Sequence, residues 1–147
     1  MPGIEVRDAG PVYTVPRAFV DTNVLIYTLD ADPQRSLRAE RLLAQRPFTS
    51  VQALNEVVNV LRRRQALDWA AIADVAAQLA SLCEVVGQTL ATHRQALLLM
   101  SRYPLSWWDA LMLAAAVESG AETFFSEDLQ DGLLVQGRLR VRNPFTA

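Results

Sequence analysis

The ten residues Ala18–Tyr27, AFVDTNVLIY, constrain the fold more than any other stretch of the chain. Ala18, Phe19 and Val20 read as the end of a buried strand. Asp21 follows at once, then Thr22 and Asn23, then a second apolar run, Val24-Leu25-Ile26. A carboxylate between two core-forming runs is an odd place for a solvated charge. In an open parallel sheet, however, the carboxyl ends of the strands are where ligands bind. Asp21 is the first candidate for chemistry, and the rest of the chain decides what joins it.

That rest alternates strands with helices. A strand over about Ala18–Asp21 leads into a short helix from Asn23. Asp32-Pro33 opens a second helix, with proline in its first turn, running to about Gln45. Phe48–Ser50 is a short strand, and Ser50 caps a helix from Val51 to about Gln65. Asp68 caps another, from Trp69 to about Leu82. A strand over about Glu84–Gly87 is followed by a helix from Thr89 to about Arg102, ended by Pro104. Ser106 caps Trp107 to about Ser119, with Gly120 where a left-handed residue is wanted. A strand at Glu122–Phe125, a polar turn at Ser126–Gly132 and a last strand at Arg138–Arg142 complete the pattern. Alternation of this kind predicts an α/β domain with a mostly parallel, five-stranded sheet. Pro2, Gly3, Gly10, Pro11 and Pro16 mark residues 1–16 as a flexible arm, leaving residues 17–147 as a single domain.

Composition narrows the chemistry by what is missing. With 51% hydrophobic and 20% charged residues the chain is globular, and its net charge of −2 excludes a basic nucleic-acid coat. All 14 basic residues are arginine. That excludes a P-loop phosphate site, Schiff-base chemistry and a Ser-Lys pair. It also disfavours a signalling receiver domain. One histidine (His93) and one cysteine (Cys83) build neither a thiolate–imidazole zinc site nor an internal disulfide. Cys83 reads as buried and inert, and His93 as a surface residue. The longest apolar run, Ala110–Val117, is too short to span a bilayer. The first residues, with Glu5 and Asp8, lack the apolar centre of a signal peptide, so the expected location is the cytoplasm. Carboxylates remain as the candidate catalysts.

Three more stand out. Glu56 lies opposite a stripe of Val51, Leu54, Val58 and Leu61, on the face that also carries Gln52, Asn59 and Arg63. Taken alone, a plain solvated helix face is the favoured reading of it. Asp109 sits in WWDALMLAAAV, a helix apolar on every side, where a carboxylate is costly unless paired, capped or metal-bound. Ser106 and Asp109 are also spaced as a capping box. Asp128 closes the strand Thr123-Phe124-Phe125, repeating the layout at Asp21, and an acidic turn is the plain alternative. Taken together, four carboxylates brought close would repel one another. Mg²⁺ or Mn²⁺, hard ions that prefer oxygen ligands, would relieve that repulsion. The chemistry this implies is phosphodiester hydrolysis.

FVDTNVLIY, NEVVNVLRR, SWWDALMLAAAVESGAE and TFFSEDLQDG, in that order, resemble the PIN-domain ribonucleases, most closely the VapC-type toxins of VapBC toxin–antitoxin pairs. The blocks and their spacers cover about Arg17 to Phe145. The resemblance implies a three-layer α/β/α sandwich around a mostly parallel sheet. By position, its acidic quartet falls on Asp21, Glu56, Asp109 and Asp128, as catalytic residues and as ligands of Mg²⁺ or Mn²⁺. Asn23 and Ser126 match supporting polar positions, and Asp131 is a possible accessory acid. Glu127 is passed over, because the family's acid falls two positions after the Ser or Thr. Residues 1–16 depart from the pattern, since such toxins usually start a residue or two before the first strand.

The activity implied is metal-dependent cleavage of RNA, often transfer or ribosomal RNA in a loop, where bases splay out and can be read. A cognate antitoxin protein and a homodimer are the implied partners, with no membrane. A non-catalytic PIN-like module that binds RNA or protein is the alternative. Gln52, Asn59 and Arg63, sharing the face of Glu56, are the candidates for holding RNA. Arg138, Arg140 and Arg142 alternate along the last strand, where protection of a sheet edge is the favoured reading. Trp107 and Trp108 are candidates for base stacking, although on so apolar a helix at least one reads as core.

Overall fold

The computed structural model describes residues 5–6, 13–14, 17–64 and 67–146. β1 (Glu5–Val6) and β2 (Tyr13–Thr14) pair antiparallel, apart from the main sheet. The remainder of the 1–16 arm lies outside the described residues. The domain proper runs β3 (Phe19–Val20), α1 (Thr22–Tyr27), α2 (Pro33–Leu43), β4 (Phe48–Ser50), α3 (Val51–Arg64), α4 (Trp69–Leu82) and β5 (Glu84–Val86). It continues through α5 (Leu90–Arg102), α6 (Trp107–Ser119), β6 (Thr123–Phe125), β7 (Leu134–Val135) and β8 (Leu139–Arg142).

The helices start where short polar side chains catch free N–H groups. Asp32 accepts from Gln34 N at 3.0 Å, Asp68 from Ala71 N at 2.9 Å, and Ser106 from Asp109 N at 3.2 Å. α6 ends at Gly120, whose φ of 82° favours a residue without a Cβ.

The main sheet has six strands in the order β5-β4-β3-β6-β8-β7, parallel except for β7. From β3 the chain steps outward to β4 and β5, then returns to lay β6 on the other side of β3. Right-handed crossovers in opposite directions put α1–α4 on one face and α5–α6 on the other, giving three layers. β3 lies at the centre, with Phe19 and Phe124 stacked 5.4 Å apart between the strands they belong to. Both rings are fully buried, with Leu61, Leu99, Leu113 and Val141 closing the core around them. The reversal between β3 and β6 is a topological switch point, where side chains past the strand ends face an open crevice.

Four expectations need correction. The sheet has a sixth strand, β7, paired with β8 through the turn Val135–Arg138, which Arg138 N closes onto Val135 O at 3.1 Å. Gln136 (φ 53°) and Gly137 (φ 68°) are both left-handed, as the twist of a tight hairpin requires. Glutamine is a poor signal for such a turn. The buried stripe of α3 is Ala53, Val57 and Leu61, while Val51 is exposed. Small Ala53 lets the helix approach the sheet, which rotates the helix from the orientation its larger residues suggest. α6 is buried on every side only from Ala110 to Ala116, because Trp108 at its start is 62% exposed. Finally, β8 is no edge: it lies between β6 and β7. Arg140 donates to Gly132 O at 2.9 Å, and Arg138, outside the strand, to Gly120 O at 3.2 Å. Both arginines hold carbonyl groups of neighbouring loops.

Among the described residues no helix is long and apolar enough to cross a membrane. Cys83 is buried, which pushes its thiol up to about 11 and leaves it inert at neutral pH. His93 is exposed, its ring edge-on to Trp107 at 5.1 Å.

Candidate active site

Asp21 ends β3 and caps α1. Its backbone N–H donates to Phe125 O at 3.0 Å, carrying the β3–β6 pairing one residue beyond Val20. That last rung fixes the carboxylate beside the end of β6. Ser126, fully buried, donates its hydroxyl to Asp21 Oδ2 at 2.8 Å. Thr22 N donates to Oδ1 at 2.7 Å, and Asn23 Nδ2 lies 3.4 Å from Oδ2. Asp21 is only 7% exposed, and its pKa is pushed up to about 6. Burial is the leading cause; the bonds from Ser126 and Thr22 oppose it, and the charges of Asp128 and Glu56 add to the rise.

Asn23 and Ser126 brace the acids as a unit. Asn23 Nδ2 donates to Ser126 Oγ and to Asp128 Oδ2, both at 3.1 Å, while its Oδ1 accepts from Glu127 N at 3.3 Å. Ser126 Oγ also accepts from Asp128 N at 3.1 Å, folding the turn so that Asp128 faces Asn23. Glu127 turns away and accepts from the Tyr27 hydroxyl, which holds that phenol's pKa up at about 12.

Glu56, half-buried on α3, is tied to the same cluster by Thr22, whose Oγ1 donates to Glu56 Oε2 at 2.5 Å. Gln52 Nε2 donates to the other oxygen at 3.2 Å. Asp109, half-buried in the first turn of α6, has its pKa raised by burial first, then by the charges of Asp128 and Glu56, against a lowering bond to Ser106. The cap and the acidic cluster therefore coexist at Asp109.

The structure thus brings Asp21, Asn23, Ser126 and Asp128 into direct contact, joins Glu56 through Thr22, and sets Asp109 within electrostatic reach. Asp131 is engaged elsewhere, accepting from Asn143 N at 2.9 Å. Gln52 and Asn59 line a groove of about 600 Å³ that opens beside Glu56. Arg63 is exposed beyond it, near the end of α3. Sequence reasoning missed Thr22 as a link between two acids. Its signal was a hydroxyl immediately after Asp21, at the first turn of a helix.

The four acids offer only oxygen ligands, and the charges of Asp128 and Glu56 add to the raised pKa values of Asp21 and Asp109, a donor set that fits a hard divalent cation. Among the described residues no three acids lie close enough to enclose an ion as they stand.

A parallel α/β sheet that collects carboxylates at its switch point defines an acidic, oxygen-ligand class of site. Residues 18–130 match the PIN domain, and the chain belongs to that family. Among solved structures it is similar to VapC20 of Mycobacterium tuberculosis, described as a Sarcin-Ricin loop cleaving toxin. The two are 27% identical, with a TM-score of 0.59, over 73% of this chain and 86% of that one. A toxin–antitoxin complex from Klebsiella pneumoniae and a DNA-bound VapBC from Salmonella typhimurium share the fold. They are 20% and 17% identical, each with a TM-score of 0.68 over 88% of this chain and 99% of theirs. No curated protein sequence matches the chain.

Proposed function

We propose that the protein is a metal-dependent endoribonuclease acting as the toxin of a type II toxin–antitoxin pair. The observation that carries this reading is the buried Asp21 carboxylate, braced by Ser126, Thr22 and Asn23 and linked through them to Glu56 and Asp128. A carboxylate buried without a cationic partner is costly to keep ionised. Such a cost is intelligible where the group must hold a cation.

Asp21, Glu56, Asp109 and Asp128 would hold Mg²⁺ or Mn²⁺. When bound, such an ion activates water and offsets the charge that grows on a phosphate under in-line attack. The chain's own part is positional. Ser126 and Thr22 N–H fix both oxygens of Asp21, Asn23 aims Asp128, and Thr22 and Gln52 fix the two oxygens of Glu56. Groups locked in this way need no reorganisation during the reaction.

RNA is the substrate we infer, transfer or ribosomal RNA being the leading classes, and the description of VapC20 as a Sarcin-Ricin loop cleaving toxin supports it. The VapBC complexes of like fold support a small antitoxin as partner. A homodimer in the cytoplasm belongs to the same reading; exposed Leu90, Leu97 and Met100 on α5 offer apolar surface for a second copy.

The test is cleavage of a panel of structured and single-stranded RNAs with Mg²⁺, Mn²⁺ or EDTA. Cleavage should need the metal and disappear in Asp21→Asn. RNA that is bound but never cut, with either metal, would replace the enzyme with a non-catalytic binding module.

A further inference from the structure

The groove beside Glu56 has walls whose chemistry the acids do not use. α3 forms one side, the loop after β5 a second, and the start of α6 the third. Its volume, about 600 Å³, lies within the range of small-molecule sites. Trp108 stands in it with 62% of its surface exposed. An indole left in water forfeits the burial free energy that aromatic side chains normally gain.

Opposite it are amides. Gln52 is fully engaged: its Nε2 donates to Glu56 and, at 3.1 Å, to Trp108 O, while its Oε1 accepts from Gln88 Nε2 at 2.7 Å. It is a strut tying the three walls together. Gln88 is thereby held in place, its carbonyl oxygen and one N–H having no partner among the described residues. Asn55 and Asn59, both exposed, have side-chain amides with no protein partner among the described residues.

We propose that this groove is a nucleobase subsite. The base next to the scissile phosphate stacks on Trp108, and its edge is read by the amides of Gln88, Asn55 and Asn59. The inference rests on the ribonuclease reading and deepens it. Among the described residues no cation lines the groove, and Glu56 stands at one end, so a phosphate is disfavoured there. A base suits these walls: it is uncharged and flat, and its edge carries both donors and acceptors, as amides do. Stacking accepts any base, while the edge contacts discriminate among them. The groove opens from a candidate catalytic acid, so a base held there fixes which phosphate meets the acids.

The test uses single-stranded RNA 12-mers of each base and a set in which one abasic ribose is moved stepwise along the strand. Binding is measured in EDTA, so that cleavage plays no part, and cleavage separately with Mg²⁺. For the wild type, an abasic site at one position should weaken binding about tenfold or more. Trp108→Ala should lose that position dependence, and Trp108→Phe should restore it. Gly87→Leu is the second variant. Gly87 lines the groove and a Cβ there meets nothing within 4 Å, so a side chain is added at its wall without a clash at the Cβ. It should abolish the same dependence while the protein stays folded. A wild type indifferent to abasic position, or variants that respond as the wild type does, would overturn the proposal and leave the groove to a peptide. Absence of cleavage with Mg²⁺, by contrast, strikes the ribonuclease reading, while the EDTA binding data still decide the subsite.

Discussion

Asp21 carries the sharpest consequence at the scale of one residue. Its pKa rises from 3.8 in the unfolded chain to about 6 in the folded one, chiefly through burial. The folded state therefore binds this proton more tightly. Asp21 favours folding most below pH 3.8, and the contribution is lost as pH rises through about 6. A shift of this size corresponds to about 3 kcal/mol. In EDTA, Asp21→Asn should be more stable than the wild type at pH 7.5 by up to that amount, less what the amide loses in hydrogen bonding. The gain should shrink towards zero by pH 4. Denaturant melts at both pH values check it, and a stability difference independent of pH would refute the assignment. Asp109 poses a different question, because the cap bond there belongs to Ser106 Oγ and the Asp109 backbone. Asp109→Asn keeps that bond. It should abolish most cleavage yet leave the metal-free protein at least as stable, since it removes a carboxylate crowded by Glu56 and Asp128. Ser106→Ala should do the reverse, costing about 1 kcal/mol of stability while most activity remains. A destabilised but fully active Asp109→Asn would remove Asp109 from the site.

At the scale of elements, α3 separates two neighbouring arginines. Arg63 is exposed on the helix carrying Glu56, two turns further along. Arg62 instead lies over the ring of Trp69 at 4.2 Å and helps join α3 to α4. Arg63→Ala should weaken RNA binding for every sequence and reduce its salt slope by about one phosphate contact. Arg62→Ala should leave RNA affinity nearly unchanged and cost about 0.5–1 kcal/mol of stability. Equal effects on binding would show that both arginines face the RNA. The same elements show what a sequence discloses. Helix ends were legible at Asp32, Asp68, Ser106 and Gly120 because a cap is a contact between residues a few positions apart. β7 was not, being two residues long with Gln136 in its turn. For the face of α3, hydropathy points to Val51 and Leu54, whereas close packing against the sheet selects Ala53. Asp21, Glu56, Asp109 and Asp128 could be picked out locally, each by its block. The Thr22–Glu56 bond and the Gln52–Gln88–Trp108 wall could not, because they exist only once distant segments meet.

For the whole molecule, charge decides how metal should act. With 16 acids and 14 arginines the net charge is only −2, so global self-repulsion is weak. The unfavourable charge is concentrated where β3 and β6 end and where α3 and α6 pass alongside. General screening by salt should therefore do little, because a buried carboxylate such as Asp21 is poorly reached by the ionic atmosphere. A cation bound by the acids in the folded state alone stabilises by mass action, about 2.7 kcal/mol at a hundredfold excess over its Kd. In a domain of this size that raises Tm by roughly 5–10 °C. Adding Mg²⁺ or Mn²⁺ to the wild type should produce such a rise, and EDTA should reverse it. NaCl at matched ionic strength should not reproduce it. Asp21→Asn should start from a higher metal-free Tm at neutral pH and gain less from the metal, so that the two melting curves converge as metal is added. A wild type whose Tm responds equally to Mg²⁺ and to NaCl would mean that the acids hold no ion, and that the crowding at the switch point serves something other than metal-dependent cleavage.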